Sequence, residues 1–189
     1  MGNDTSRLVE RARLGDQSAF GALVKGHHDK VRAVLLGIVR NPQDADDLAQ
    51  QTWIKAWRNL PGFEGKSSFS TWLFRIATFT AWDHLKKRKR LAEVEFAEEL
   101  HTRQSDRAAL TLTQPTRPDR AAAHTEIMER FEAALETLSH QHRTSLVLRE
   151  VEGMSYKEIA AVTDCNIGTV MSRIYTARKS IQAYMKDLL

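Results

Sequence analysis

Residues 44–90 read DADDLAQQTWIKAWRNLPGFEGKSSFSTWLFRIATFTAWDHLKKRKR, and the breaks in this stretch set the fold. Just ahead of it, Asn41-Pro42 offers a capping side chain with proline at the first helical position. The spacing predicts a helix over 43–60, a short polar loop over 61–68 built on Pro61-Gly62 and Gly65, and a further helix from about Phe69 to beyond Arg90. All four tryptophans of the chain, Trp53, Trp57, Trp72 and Trp82, fall here, and the stretch ends in five consecutive basic residues, 86–90. Aromatic faces beside fixed positive charge are what a protein needs to hold unstacked bases and their phosphates.

Upstream, Phe20, Leu23, Val24, Val31, Val34, Leu35 and Ile38 mark one apolar face of a helix. Downstream, residues 91–125 change character. Four glutamates follow the basic run, and 104–123 is rich in Thr, Pro, Arg and Ala with almost no large apolar residue. Such a segment buries too little surface to fold alone and reads as a flexible linker whose start extends the preceding helix. A second helical domain begins near Glu126, with Ile127, Phe131, Leu135 and Leu138 at helical spacing. No alternating strand pattern survives beyond a few residues, so the expected fold is all-α: two small helical domains, 1–90 and 126–189, joined by the linker 91–125.

Charge is segregated along the chain. Residues 1–90 carry 16 Lys and Arg against 9 Asp and Glu, whereas 126–189 carry 8 against 9. The positive field therefore belongs to the first half. No run of about 18 apolar residues occurs, the N-terminus lacks the apolar core of a secretory signal, and Cys165 is the only cysteine, so a cytoplasmic protein is expected.

In the second half, Ser155-Tyr156-Lys157-Glu158 is a capping box opening a short helix with Ile159, Ala160 and Val162. Thr163-Asp164-Cys165-Asn166 breaks that helix, and Asn166 can cap another that carries Ile167, Val170 and Ile174 inward. By spacing this is a helix-turn-helix whose second helix reads a major groove. Its outward candidates are Thr169, Ser172, Arg173, Thr176 and Arg178, with the two arginines suited to a guanine edge or a phosphate.

Two independent segments resemble bacterial sigma factors of the extracytoplasmic-function (ECF) type. Residues 44–90 are similar to their region 2, and GTVMSRIYTARKSI, 168–181, is similar to their region 4. The resemblance implies a promoter-recognition subunit that binds RNA polymerase core, directs it to promoters and captures melted non-template DNA. It implies core docking on the clamp helices of the largest subunit through Asp47, Gln50, Gln51, Trp53, Ile54 and Trp57, with a further contact to the flap. Melted DNA of the minus-ten element would lie on Phe63, Lys66, Ser67, Ser68, Phe69, Thr71, Trp72, Arg75 and Phe79, with Lys86, Lys87 and Arg88 following the backbone. The second domain would read the minus-thirty-five element as duplex. A cognate anti-sigma factor, often membrane-anchored and able to hold the chain at the inner membrane face, is the further partner implied. Departures from the family pattern are Gln51 where Glu is usual, Phe79 where Asn is common, and Met171 and Thr176 where basic residues are usual.

A conventional helix-turn-helix operator-binding regulator is the alternative, but it would leave the basic, aromatic half away from the DNA reader, and no dimerising heptads appear. An enzyme is not expected, nor a cofactor, metal or small-molecule substrate. Asp46 and Asp47 are adjacent and diverge on a helix, His27-His28 reads as a solvated pair, and no catalytic signature occurs.

Overall fold

The structure, a computed structural model, describes residues 2–102, 127 and 130–186. All regular structure among them is helical. The first half consists of α1 (Gly2–Arg13), α2 (Gln17–Val39), α3 (Pro42–Asn59) and the long α4 (Phe69–Thr102). Each start has a local cause. Asp16 accepts a hydrogen bond from the Ala19 amide at 3.0 Å and Asn41 one from the Asp44 amide at 2.9 Å, each satisfying an amide that a helix start leaves open. Ser68 does the same for α4, its Oγ accepting from the Thr71 amide at 3.1 Å. The expected apolar face of α2 is buried at Leu23, Val31, Val34, Leu35 and Ile38, packed on Leu48, Ala49 and Trp53 of α3 and on Leu73, Phe74 and Ala77 of α4.

The second half holds a helical stretch over 130–136, then α5 (His140–Glu150), α6 (Tyr156–Thr163) and α7 (Ile167–Met185). Both arms of the capping box form: the Ser155 amide donates to Glu158 at 2.8 Å, and Ser155 Oγ accepts from the Glu158 amide at 3.3 Å. Asp164 takes the left-handed conformation, φ 54°, that ends α6, and Asn166 caps α7.

Two features depart from the expectations. Ile127 and Phe131 are exposed rather than turned inward, and Ile167, at the first position of α7, is 46% exposed although its helical partners Val170 and Ile174 are buried. Residues 91–102 continue α4, as expected for the start of the linker; residues 103–125 lie outside the described residues. Finally, the halves do not stand apart. α5 packs on α2 and α6 on α4, and one continuous set of buried side chains runs from Val9 to Ala177.

Candidate nucleic-acid interface

The loop between α3 and α4 begins with a 3-10 turn, Leu60–Gly62, closed by the Phe63 amide donating to Leu60 O at 3.0 Å. Gly65, at φ 72°, takes the left-handed conformation that a side chain resists. Phe63, Phe69 and Trp72 pack on one another with centroids 5.0–6.3 Å apart. Phe63 and Phe69 are buried, while Trp72 is half-buried and shows a face to solvent. Two cavities open beside it. One, about 480 Å³, is lined by Asn59, Gly62, Trp72, Arg75, Ile76 and Phe79. The other, about 200 Å³, lies over Gly62, Phe63, Glu64, Lys66, Ser67 and Trp72. An aromatic wall with polar edge groups is the arrangement that holds an unstacked base.

The sequence-predicted strand-binding residues thus fall into separate roles. Trp72, Arg75 and Phe79 share one cavity, and Lys66 and Ser67 line the smaller. Lys66 is paired with Glu64. Ser68 and Thr71 serve the helix start: their hydroxyls are 2.8 Å apart, and Thr71 is buried, so its side chain is not offered to a ligand. Arg75 lies over the Phe79 ring at 5.2 Å and reaches across to α6, donating to Ala161 O at 2.7 Å and pairing with Asp164 at 3.2 Å. Further along α4, Lys86, Lys87 and Arg88 are exposed, with Arg88 3.4 Å from Asp44.

On α3, Asp47, Gln50, Gln51 and Ile54 are all exposed and follow helical spacing along one face. The tryptophans expected beside them turn the other way. Trp53 is 7% exposed and meets Phe20 edge-on at 5.8 Å, and half-buried Trp57 packs on the same ring at 4.8 Å. Trp53 is therefore a core residue, because the apolar stripe of α3 must cover α2. Asp44 and Asp46, the other carboxylates of this helix start, pair with Arg88 and Arg32. His27 is not solvated as expected: Nδ1 lies 2.9 Å from Leu23 O, to which it donates, and the ring meets Phe69 edge-on.

The face of α7 that reaches solvent carries Met171, Ser172, Tyr175 and Thr176. Thr169 is bound to its own cap, Asn166 Oδ1, through its amide at 2.8 Å and its hydroxyl at 3.0 Å. Arg173 faces α5, donating to Gln141 Oε1 at 3.0 Å and to Cys165 Sγ at 3.5 Å, and Arg178 pairs with Glu150 at 2.5 Å. Met171 and Tyr175 are not among the outward candidates that the sequence suggests; at i,i+4 spacing they form an exposed row of their own.

Two family models match the chain in this order: sigma-70 region 2 over residues 23–91 and sigma-70 region 4 over residues 128–181. The chain belongs to the sigma-70 family. Among its curated relatives, the RNA polymerase sigma-H factor of Pseudomonas aeruginosa is 40% identical over 186 residues, covering 97% of this chain and 94% of the relative. The ECF RNA polymerase sigma-E factor of Escherichia coli K12 is 35% identical over 182 residues, covering 96% and 94%. Two solved structures share the fold. CnrH in complex with the cytosolic domain of CnrY gives a TM-score of 0.68 at 28% identity, covering 97% of this chain and 98% of that one. The sigma factor RpoE bound to the anti-sigma factor NepR from Bartonella quintana gives 0.65 at 29%, covering 88% and 96%. This ECF-type sigma factor is thus a promoter-specificity subunit of RNA polymerase, and the operator-binding alternative is not favoured.

Proposed function

We propose that this sigma factor docks on polymerase core through the exposed face of α3, captures one melted strand at the start of α4, and reads duplex DNA through α7. The observation that carries this reading is the continuity of α4: one unbroken helix holds the cavity at Trp72, Arg75 and Phe79 and, farther along, the exposed basic residues 86–90. A strand whose base enters the cavity can run its phosphates along that helix. The polar face of α3 suits the clamp helices of the largest subunit, and the second half suits the flap. The chain does no chemistry of its own: its work is binding and positioning, carried out in the cytoplasm beside polymerase. One structural neighbour was solved with the anti-sigma factor NepR and another with the cytosolic domain of CnrY. Both support an anti-sigma regulator for this chain too, at the inner membrane face if anchored.

The test is reconstitution. Core polymerase supplied with this chain initiates at a defined subset of sites in a genomic DNA library, and those sites share two sequence elements. Core that starts no differently with and without the chain would sink the reading.

A further inference from the structure

Over residues 167–176 the exposed side chains of α7 are Ile167, Met171, Ser172, Tyr175 and Thr176, none of them charged. Ile167, Met171 and Tyr175 stand one turn apart, 46%, 53% and 68% exposed, and form an apolar strip along the helix. Ser172 and Thr176 set a row of hydroxyls beside it. The arginines of the helix are engaged elsewhere, Arg173 with Gln141 and Cys165 and Arg178 with Glu150. Lys179, one turn beyond Tyr175, ends the strip with an exposed cation. Single exposed apolar residues are ordinary on a surface. Three in line, on the helix that a helix-turn-helix sets into a major groove, mark a contact.

The groove distinguishes bases by the groups that reach it. Guanine shows two acceptors, O6 and N7, and is gripped by the paired donors of a cationic side chain. Thymine shows one acceptor and the apolar C5 methyl. An apolar strip flanked by single hydroxyls therefore matches thymine and mismatches guanine. The adaptable thioether of methionine and the tyrosine ring, ordered by only two torsions, both suit a methyl contact. Side chains one turn apart on a helix are separated by about 5–6 Å, close to two base steps of about 3.4 Å.

We propose that α7 reads thymine in place of guanine: Met171 and Tyr175 seat on C5 methyls about two base steps apart, Ser172 and Thr176 bind the polar edges beside them, and Lys179 takes a phosphate. The inference rests on the reading of α7 as the duplex reader of a sigma factor, and it names what that helix selects.

The test uses holoenzyme on promoters whose upstream duplex element is randomised. Selection by wild type should enrich thymine at two positions, one or two base steps apart. Replacing each selected thymine by deoxyuridine removes the methyl and keeps the base pair. Each replacement should weaken binding about fourfold, the worth of one buried methyl group. With Met171→Ala or Tyr175→Ala one of the two penalties should vanish, because the methyl has lost its partner. Met171→Arg should move the enrichment towards guanine. Both positions are exposed, so these chains should melt as wild type does. If one does not fold, the deoxyuridine comparison on wild type decides.

Enrichment of guanine by wild type overturns the proposal. So does indifference to deoxyuridine, which would assign a preference for A·T pairs to duplex shape. Penalties that persist in both alanine variants remove Met171 and Tyr175 from the contact. Alanine variants that bind core more weakly while keeping the penalties would make the strip a protein-docking face and likewise overturn it. Core that starts no differently with the chain present refutes the sigma reading itself, whereas specific initiation without methyl dependence refutes this inference alone.

Discussion

The guanidinium of Arg173 spans from α7 to Gln141 of α5 and to the turn at Cys165, so the side chain best suited by type to grip a guanine is engaged in bracing the fold. Arg173→Ala should therefore cost about 1–3 kcal/mol of stability, the range for a hydrogen bond from a charged donor, and leave promoter preference intact. Ser172→Ala or Thr176→Ala should do the reverse, with little change in melting temperature and an altered sequence preference. Thermal melts and holoenzyme footprints distinguish the two patterns; a changed preference in Arg173→Ala at unchanged stability would return that residue to the reading role. The same division holds on α3. Trp53→Ala should destabilise the chain by about 3–5 kcal/mol as a large core truncation. Asp47→Arg, at an exposed position, should shift stability by less than about 0.5 kcal/mol yet weaken core binding by about 1–3 kcal/mol in a fluorescence titration. Equal effects of both substitutions on stability would show that the assignment of faces is wrong.

Elements whose cause is local are the legible ones. The pattern Ser-x-x-Glu at 155–158 marks the start of α6 because both partners lie within one turn. Asn41-Pro42 locates α3 to within a residue for the same reason. The capping box also carries a pH dependence. Hydrogen bonds from the Ser155 hydroxyl and amide hold the Glu158 carboxyl below its ordinary value of 4.5. A depressed carboxylate contributes stability that is complete above the unfolded value and is lost as pH falls through the folded one. The helix-turn-helix should therefore weaken below about pH 4.5, and Ser155→Ala should cost about 1 kcal/mol at neutral pH while removing part of that acid sensitivity. Denaturant midpoints measured across pH report both; an acid response identical in the variant would assign the loss to other carboxylates. Faces are less legible than elements. Helical periodicity separates apolar from polar rows, but it does not tell whether an aromatic residue at the edge of a row covers α2 or meets a partner. Trp53 turns inward against expectation for that reason. The direction that Arg173 takes is hidden because a long cationic side chain at a helix edge can turn either way, and its partner Gln141 lies 32 residues away.

For the molecule as a whole, the electrostatic asymmetry seen in composition survives folding as an exposed basic stretch on α4. Neutralising Lys86, Lys87, Arg88, Lys89 and Arg90 should lower holoenzyme affinity for forked templates and flatten its dependence on salt, by roughly one unit of slope for each phosphate that the helix no longer neutralises. An unchanged slope would make the run a solvated helix end. How the halves meet is hidden in the sequence. Gly37, Val147, Trp82 and Thr144 carry no motif, and the seam depends on pairs more than 60 residues apart. The placement of the four indoles has an optical consequence. Trp53 sits in the core of the first half, Trp57 on its flank, Trp72 at the mouth of the cavity and Trp82 across the seam. Intrinsic emission should thereby divide by event: a base captured as proposed on Trp72 would quench one component, loss of the Thr144 acceptor would move the Trp82 component to longer wavelength, and Trp53 would respond to neither until the chain unfolds. Single-tryptophan versions of this protein would be label-free clocks for the successive steps of promoter opening.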